Sequence, residues 1–255
     1  MSIDLTRVEE FALITINRPD ALNALSLSLI SDLGARLDEV AKSDARALII
    51  TGAGSKAFCA GADIKELMGR GLMAQKQGGE SGQATFAKLD TLPMPSIAVI
   101  NGYAFGGGME LALACTFRLA MRNAKMGTPE IKLGLIPGYG GTQRLPRVVG
   151  EARALEMVMT GRTVDAEEAL RIGLVSRLLD GDAVAAGVSF AREFSGYSLP
   201  VLQFARDAVK RAGETPLHEG LRVETDLATL AFQTKDAAEG MSAFAEKRKA
   251  QFKDK

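Results

Sequence analysis

The stretch Ser96–Cys115, SIAVINGYAFGGGMELALAC, decides how the rest of the chain is read. Ile97, Ala98, Val99 and Ile100 form an apolar run of strand length, closed by the turn signal Asn101-Gly102. Gly106, Gly107 and Gly108 follow, and the apolar segment Met109–Cys115 suits the start of a buried helix. Backbone N–H groups at a helix start have no intrahelical acceptor, and the helix dipole adds partial positive charge there. Successive glycines remove the side chains that would hold a ligand away from those donors. Glu110 stands one turn into this segment, where a purely structural helix would carry Ala or Leu. A carboxylate beside exposed backbone donors is what acid–base chemistry on a carbonyl compound needs. The same glycines also suit a tight crossing of two elements. This stretch alone leaves both readings open.

At 255 residues with 47% hydrophobic content, the chain can bury one large core. Lys plus Arg and Asp plus Glu balance at 31 each, so no global field draws nucleic acid or an anionic membrane. Cys59 and Cys115 lie in apolar contexts without metal spacing and read as reduced thiols of a cytoplasmic protein. The first residues, MSIDLTRVEEFALITINRP, lack a basic segment followed by a long apolar one, so no secretory signal is expected. No apolar run approaches the ~20 residues that span a bilayer. The single histidine, His218, sits in a polar helical pattern far from every glycine loop, which argues against Ser-His or Cys-His catalysis. No His/Cys cluster suggests a metal.

Working outward, residues 2–8 and 10–17 read as two strands joined near Glu9, with Pro19 ending the second. Ile30, Leu33, Leu37 and Val40 give residues 28–43 one buried helical face. Residues 45–51 form a continuous apolar strand, buried on both sides by its pattern. After it, Gly52-Ala53-Gly54-Ser55-Lys56-Ala57 imitates a dinucleotide fingerprint but opens no amphipathic helix. It reads instead as a loop of small residues. Asp63 suits the cap of a short helical turn over 64–68.

Residues 69–82, GRGLMAQKQGGESG, read as the least structured segment, a loop beside the ligand, with a helix over 83–91. A strand over 117–121 follows, then a short turn at Glu130–Gly134 and a third glycine loop at 137–141. Helices are expected over 142–149 and 151–160, and another opens on Asp165 with Glu168 as its capping-box partner. Val175–Leu179 makes a last strand, and from Asp182 the pattern is helical to the end, broken near Pro200 and Pro216. The organisation is an α/β core over residues 1–195 and a helical module over 196–255.

Three blocks now stand together: AFCAGADIKE (57–66), NGYAFGGGMELA (101–112) and PEIKLGLIPGYGGTQRL (129–145). In this order and spacing the chain resembles the crotonase superfamily, and within it the enoyl-CoA hydratases. NRPDALNAL (17–25) and EGMSAFAEKRKAQFKD (239–254) extend the likeness over nearly the whole sequence. The resemblance implies a spiral of ββα turns, with the C-terminal helical module mediating homotrimers, often paired into hexamers. It implies a coenzyme A thioester as substrate, no separate cofactor, and a place in fatty-acid β-oxidation or related acyl-CoA metabolism. An enoyl-CoA isomerase is the alternative. Some relatives bind RNA, a reading that the balanced charge disfavours.

Carried over residue by residue, the likeness gives the N–H groups of Ala62 and Gly107 the oxyanion hole, and makes Glu110 and Glu130 the catalytic carboxylates. Gly138 would help position the water through its backbone. Ala60, Ala62, Asp63 and Ile64 would line the coenzyme channel, with Ala21 and Leu22 near its entrance. Phe244 and Lys247 would reach the coenzyme's nucleotide end, from a neighbouring subunit. Tyr139 departs from the commonest pattern, which has a small residue there, so its ring is expected to shape the acyl pocket. The residues suit that chemistry on their own terms. Adding water across an enoyl thioester builds charge on the carbonyl oxygen and needs one base and one acid. Two neighbouring carboxylates should titrate as a coupled pair.

Overall fold

The computed structural model describes residues 3–255. It opens on a hairpin of β1 (Ile3–Val8) and β2 (Phe11–Ile16), paired from Ile3 opposite Ile16 and turned at Glu9, whose φ is 55°. α1 (Leu27–Ala41) starts where the Ser26 hydroxyl accepts the Leu29 N–H, and it buries the expected stripe Ile30, Leu33, Leu37 and Val40. There follow β3 (Leu48–Gly52), β4 (Ala57–Cys59), the single turn α2 (Ile64–Leu67) and α3 (Leu72–Ala87). Next come β5 (Ser96–Ile100), β6 (Tyr103–Phe105), α4 (Gly107–Ala114), β7 (Phe117–Met121) and β8 (Lys125–Gly127). Past a 3-10 turn at Pro129–Leu133, α5 (Gly141–Val149), α6 (Glu151–Thr160), β9 (Val164–Asp165), α7 (Ala166–Arg171) and β10 (Arg177–Leu179) complete the core. α8 (Ala183–Ala191), α9 (Leu199–Arg211), α10 (Leu217–Phe232) and α11 (Lys235–Ala245) close the chain.

Strands alternate between two sheets. One has the order β1-β2-β3-β5-β7-β10 and the other β4-β6-β8-β9. From β3 to β8 each turn therefore lays one strand in the first sheet and the next in the second, which makes the chain a spiral. Apart from the antiparallel pairs β1/β2 and β8/β9, every pairing is parallel. Period-2 alternation splits the first sheet between two apolar layers. Ile14, Leu48, Ile50, Ala98 and Ile100 join the layer with α1 and α4, while Leu13, Ile49, Ile97, Val99 and Leu119 pack under α8.

The segment expected as a loop is mostly helix. α3 takes in all but the first few residues of 69–82 and continues to Ala87, so the separate helix expected over 83–91 is the end of α3 and the 3-10 turn Lys88–Asp90. Glycine in a helix interior costs about 1 kcal/mol against Ala, which is why the sequence read as irregular. Packing overrides that cost. A Cβ on Gly82 would stand 2.3 Å from Cδ1 of Tyr139, and one on Gly78 would stand 2.6 Å from Nη1 of Arg70. The glycines are seats for neighbouring side chains. A second expectation fails at the end of the chain, which is not helical beyond Ala245. Lys247, at φ 55°, turns it, and the tail runs back along α11. There the Asp236 carboxylate accepts the N–H groups of Lys253 and Asp254 at 2.7 and 2.8 Å, and Glu239 pairs with Arg248.

Candidate active site

The organising stretch does two jobs with its glycines. A Cβ on Gly108 would stand 2.0 Å from the Cys59 carbonyl oxygen, so this glycine is a crossing of α4 over β4. Gly106 has φ 50° and ψ −124°, a backbone open to glycine and strained for other residues, and it aims the start of α4. Gly107, the first helical residue, has no intrahelical acceptor for its N–H.

Ala62 comes to the same place from another turn of the spiral. Leu25 and Ala62 form a parallel bridge in which Leu25 donates to the Gly61 carbonyl at 2.7 Å and accepts from the Asp63 N–H at 2.8 Å. In that pattern the N–H of Ala62 itself points away from Leu25. Asn23 holds the turn before Leu25, its buried amide donating to the carbonyls of Ala57 and Ala53 at 2.7 and 3.0 Å. Asn101 ties the β5–β6 turn to the same loop by donating to the carbonyls of Gly52 and Gly54. The two backbones then close up. A Cβ on Gly61 would lie 3.7 Å from the Gly107 nitrogen.

Glu110 is 2% exposed, and its Oε1 accepts the N–H groups of Tyr139 and Gly141, each at 2.7 Å. Burial pushes its carboxyl up to about 7, against those two hydrogen bonds, and the Glu130 carboxylate adds to the rise. Glu130 sits on the 3-10 turn after β8, half-buried, and burial raises its carboxyl too. Its Oε2 is buried with no hydrogen-bond partner among the described residues. A Cβ on Gly106 would lie 2.9 Å from Glu130 Oε1, so the glycine leaves room for the second carboxylate.

Both glutamates line one cavity of about 230 Å³, together with Gly107, Ala62 and Tyr139. Ala60, Ile64 and Gly138 also face it. Gly138 offers its carbonyl to Gln83 Nε2 at 2.9 Å, and the loop's bonds to Glu110 come from its neighbours Tyr139 and Gly141. Asp63 turns elsewhere: it caps α2 through the Lys65 N–H and pairs with Arg18 at 3.2 Å. Ala21 ends a short 3-10 turn, and the Leu22 carbonyl accepts the Ala60 N–H at 3.0 Å, beside the wall rather than on it. Phe244, 87% exposed near the end of α11, and Lys247, just past it, take no part in this chain's own cavity.

Tyr139 is buried, its ring edge-on to Phe86 with centroids 5.7 Å apart and seated on Gly82. Sequence reasoning missed the donors Tyr139 and Gly141, because backbone N–H groups carry no residue signature. It also missed Arg70, which borders the cavity from the segment taken for a loop.

Comparison with known proteins gives the family. Residues 6–255 match the enoyl-CoA hydratase/isomerase family. A probable enoyl-CoA hydratase of Rhizobium meliloti is 46% identical over 94% of this chain and 93% of its own. A crotonyl-CoA hydratase of Syntrophomonas wolfei is 39% identical over 98% and 97%. Among solved structures, an enoyl-CoA hydratase from Bacillus anthracis superposes with a TM-score of 0.95, at 37% identity and full coverage of both chains.

Proposed function

The chain belongs to the enoyl-CoA hydratase/isomerase family and has the crotonase fold, and from that premise we propose that Glu110 and Glu130 share one water addition in the cavity they line. The activity is that of an enoyl-CoA hydratase, a hydro-lyase that reversibly converts trans-2-enoyl-CoA to 3-hydroxyacyl-CoA. The observation that carries the division of labour is that one buried and one half-buried carboxylate, Glu110 and Glu130, line a single cavity together with Ala62 and Gly107.

The thioester oxygen sits between the N–H groups of Ala62 and Gly107, where negative charge develops as water adds. Losing one such donor typically costs about 3–4 kcal/mol of barrier. Glu110, held on one oxygen by Tyr139 and Gly141, orients the water and takes its proton. Glu130, whose carboxyl burial raises, is the acid that delivers a proton to C2. Gly138 borders the space for the water. On this reading no separate cofactor is needed, because the carboxylates and N–H groups supply the proton transfers and the charge stabilisation.

The chain works in acyl-CoA metabolism as a homotrimer or a dimer of trimers in the cytoplasm, with neither nucleic acid nor membrane as partner. Large apolar side chains exposed on α10 and α11 support assembly: Leu217 at 78%, Phe232 at 68% and Phe244 at 87%. In such an assembly Phe244 and Lys247 serve the coenzyme bound by a neighbour, and residues 196–255 act as the assembling module. The free thiols of Cys59 and Cys115 fit a reducing compartment, and among the described residues no helix is long and apolar enough to cross a membrane. Loss of enoyl absorbance across a chain-length series of trans-2-enoyl-CoA thioesters tests the reading. Turnover of none of them would contradict it.

A further inference from the structure

Tyr139 and Gly141, the two donors to Glu110 Oε1, flank Gly140 in the loop Pro137-Gly138-Tyr139-Gly140-Gly141. Glycine loses more conformational freedom on ordering than any other residue, so a loop this rich in it needs an anchor to keep two N–H groups on one oxygen. Arg144, in the first turn of α5, supplies one. Its N–H donates to the Gly140 carbonyl at 2.9 Å, and its guanidinium folds back over the same residue. A Cβ on Gly140, whose φ is 113°, would stand 2.6 Å from Arg144 Nη1. Nη2 of that guanidinium donates to Asp90 Oδ2, in the 3-10 turn after α3. The other oxygen of Asp90 accepts from Lys210 Nζ, on α9, at 2.6 Å. Arg206 of the same helix donates to the Leu92 carbonyl at 2.7 Å, so α9 grips the segment that carries Asp90. A chain of contacts thus runs from the C-terminal helices to the loop that holds Glu110.

Arg144 does not line the cavity, so whatever it does for the reaction it does through the loop. Its ion pair with Asp90 is partly exposed, and such pairs add little to stability. What a planar guanidinium between a carboxylate and a backbone does give is a fixed direction. It also gives a charge. Of the charged groups acting on the Glu110 carboxyl, Glu130 raises it and Arg144 lowers it, while the Tyr139 phenol, raised by burial, stays uncharged beside them. We propose that Arg144, held by Asp90 and Lys210, is a positioning residue for Glu110: it fixes Gly140 so that the N–H groups of Tyr139 and Gly141 stay on the catalytic carboxylate. This rests on the hydratase reading and adds to it the group that keeps the base in place.

The test measures hydration of crotonyl-CoA against pH in the parent, Arg144→Met, Arg144→Lys and the near-isosteric Asp90→Asn, with folding checked by circular dichroism. Calorimetric binding of butyryl-CoA reads the substrate site without turnover. Arg144→Met should lower kcat by roughly tenfold to a hundredfold, as for a misplaced catalytic group, with KM and butyryl-CoA binding close to the parent's. The acid limb of kcat/KM should move to higher pH, because losing the cation and loosening the two N–H donors both raise the Glu110 carboxyl. Arg144→Lys should recover part of both effects, and Asp90→Asn should lower kcat by less than Arg144→Met does. Denaturant stability of Arg144→Met against Arg144→Met/Glu110→Gln reads the same carboxyl with no substrate present. The pH window of their difference should lie above that of the parent against Glu110→Gln. The proposal is overturned if Arg144→Met keeps the parent kcat and acid limb. It is equally overturned if the loss falls on KM and butyryl-CoA binding with the acid limb unmoved, since Arg144 would then serve the fold alone. Should the parent hydrate no enoyl ester, the hydratase reading falls, and the stability window alone upholds the positioning role by moving or overturns it by staying.

Discussion

The N–H of Gly141 donates to Oε1 of Glu110 at 2.7 Å, and a Cβ on that glycine would stand 2.9 Å from Glu110 Cγ. One residue is thus both donor to the carboxylate and clearance for it. With the Tyr139 N–H on the same oxygen, it fixes the carboxylate plane and leaves the other oxygen for water.

Gly141→Ala isolates that relationship, because Gly141 opens α5 and alanine suits a helix start. The added methyl displaces Glu110 while the fold is kept. Hydration of crotonyl-CoA should fall about a hundredfold, the typical cost of misplacing a catalytic group by about 1 Å. Parent-like turnover would show that the carboxylate tolerates movement.

The buried carboxyl of Glu110 also leaves a mark on stability. Burial raises it from 4.5 to about 7, so folding favours the protonated form. Its contribution is whole below pH 4.5 and is lost as pH rises through about 7. Denaturant titrations should show the parent losing roughly 3 kcal/mol relative to Glu110→Gln across that window. Turnover runs the other way, since the base must be ionised, and kcat/KM should decline below about pH 7. Parallel stability profiles for parent and variant would contradict the burial argument.

The two readings of the glycine run separate by substitution. Gly108→Ala drives a methyl onto the Cys59 carbonyl, 2.0 Å away, and should destabilise the fold by at least about 1–3 kcal/mol, as overpacking does. Gly107→Pro removes an N–H at the first helical position, where proline is accepted, and its Cβ would meet only the side-chain ends Leu25 Cδ1 and Tyr139 Cδ2, at 3.1 and 3.2 Å. It should keep the melting temperature near the parent's and abolish most turnover. The reverse pattern would exchange the roles of the two residues.

Much of this was legible in the sequence. Strand runs such as Ile97–Ile100, the α1 stripe and the caps Asp63 and Asp165 are local signals, and the structure holds them within a few residues. Glu110 stood out because a carboxylate in an apolar helix start needs a reason, whereas Glu130 was named only through the likeness to the crotonase superfamily. α3 was hidden, because its glycines are explained only by Tyr139 and Arg70, which reach it through space. The short strands β6 and β9 were hidden as well, since three and two residues carry no periodicity. The donors to Glu110 belong to the backbone, so the sequence pointed to Gly138 in their loop and missed Tyr139 and Gly141.

The shared use of both carboxylates is tested most directly by hydration of crotonyl-CoA in Glu110→Gln, Glu130→Gln and the double variant. Glutamine keeps the size and much of the hydrogen bonding of glutamate but does not carry the catalytic proton. Each single variant should lose roughly a hundred- to ten-thousand-fold in turnover. The double variant should be little worse than either, because the groups act as a unit. Binding of a saturated acyl-CoA should survive in all three, since backbone donors hold the thioester. If either single variant hydrates crotonyl-CoA at close to the parent rate, the two-carboxylate account is wrong.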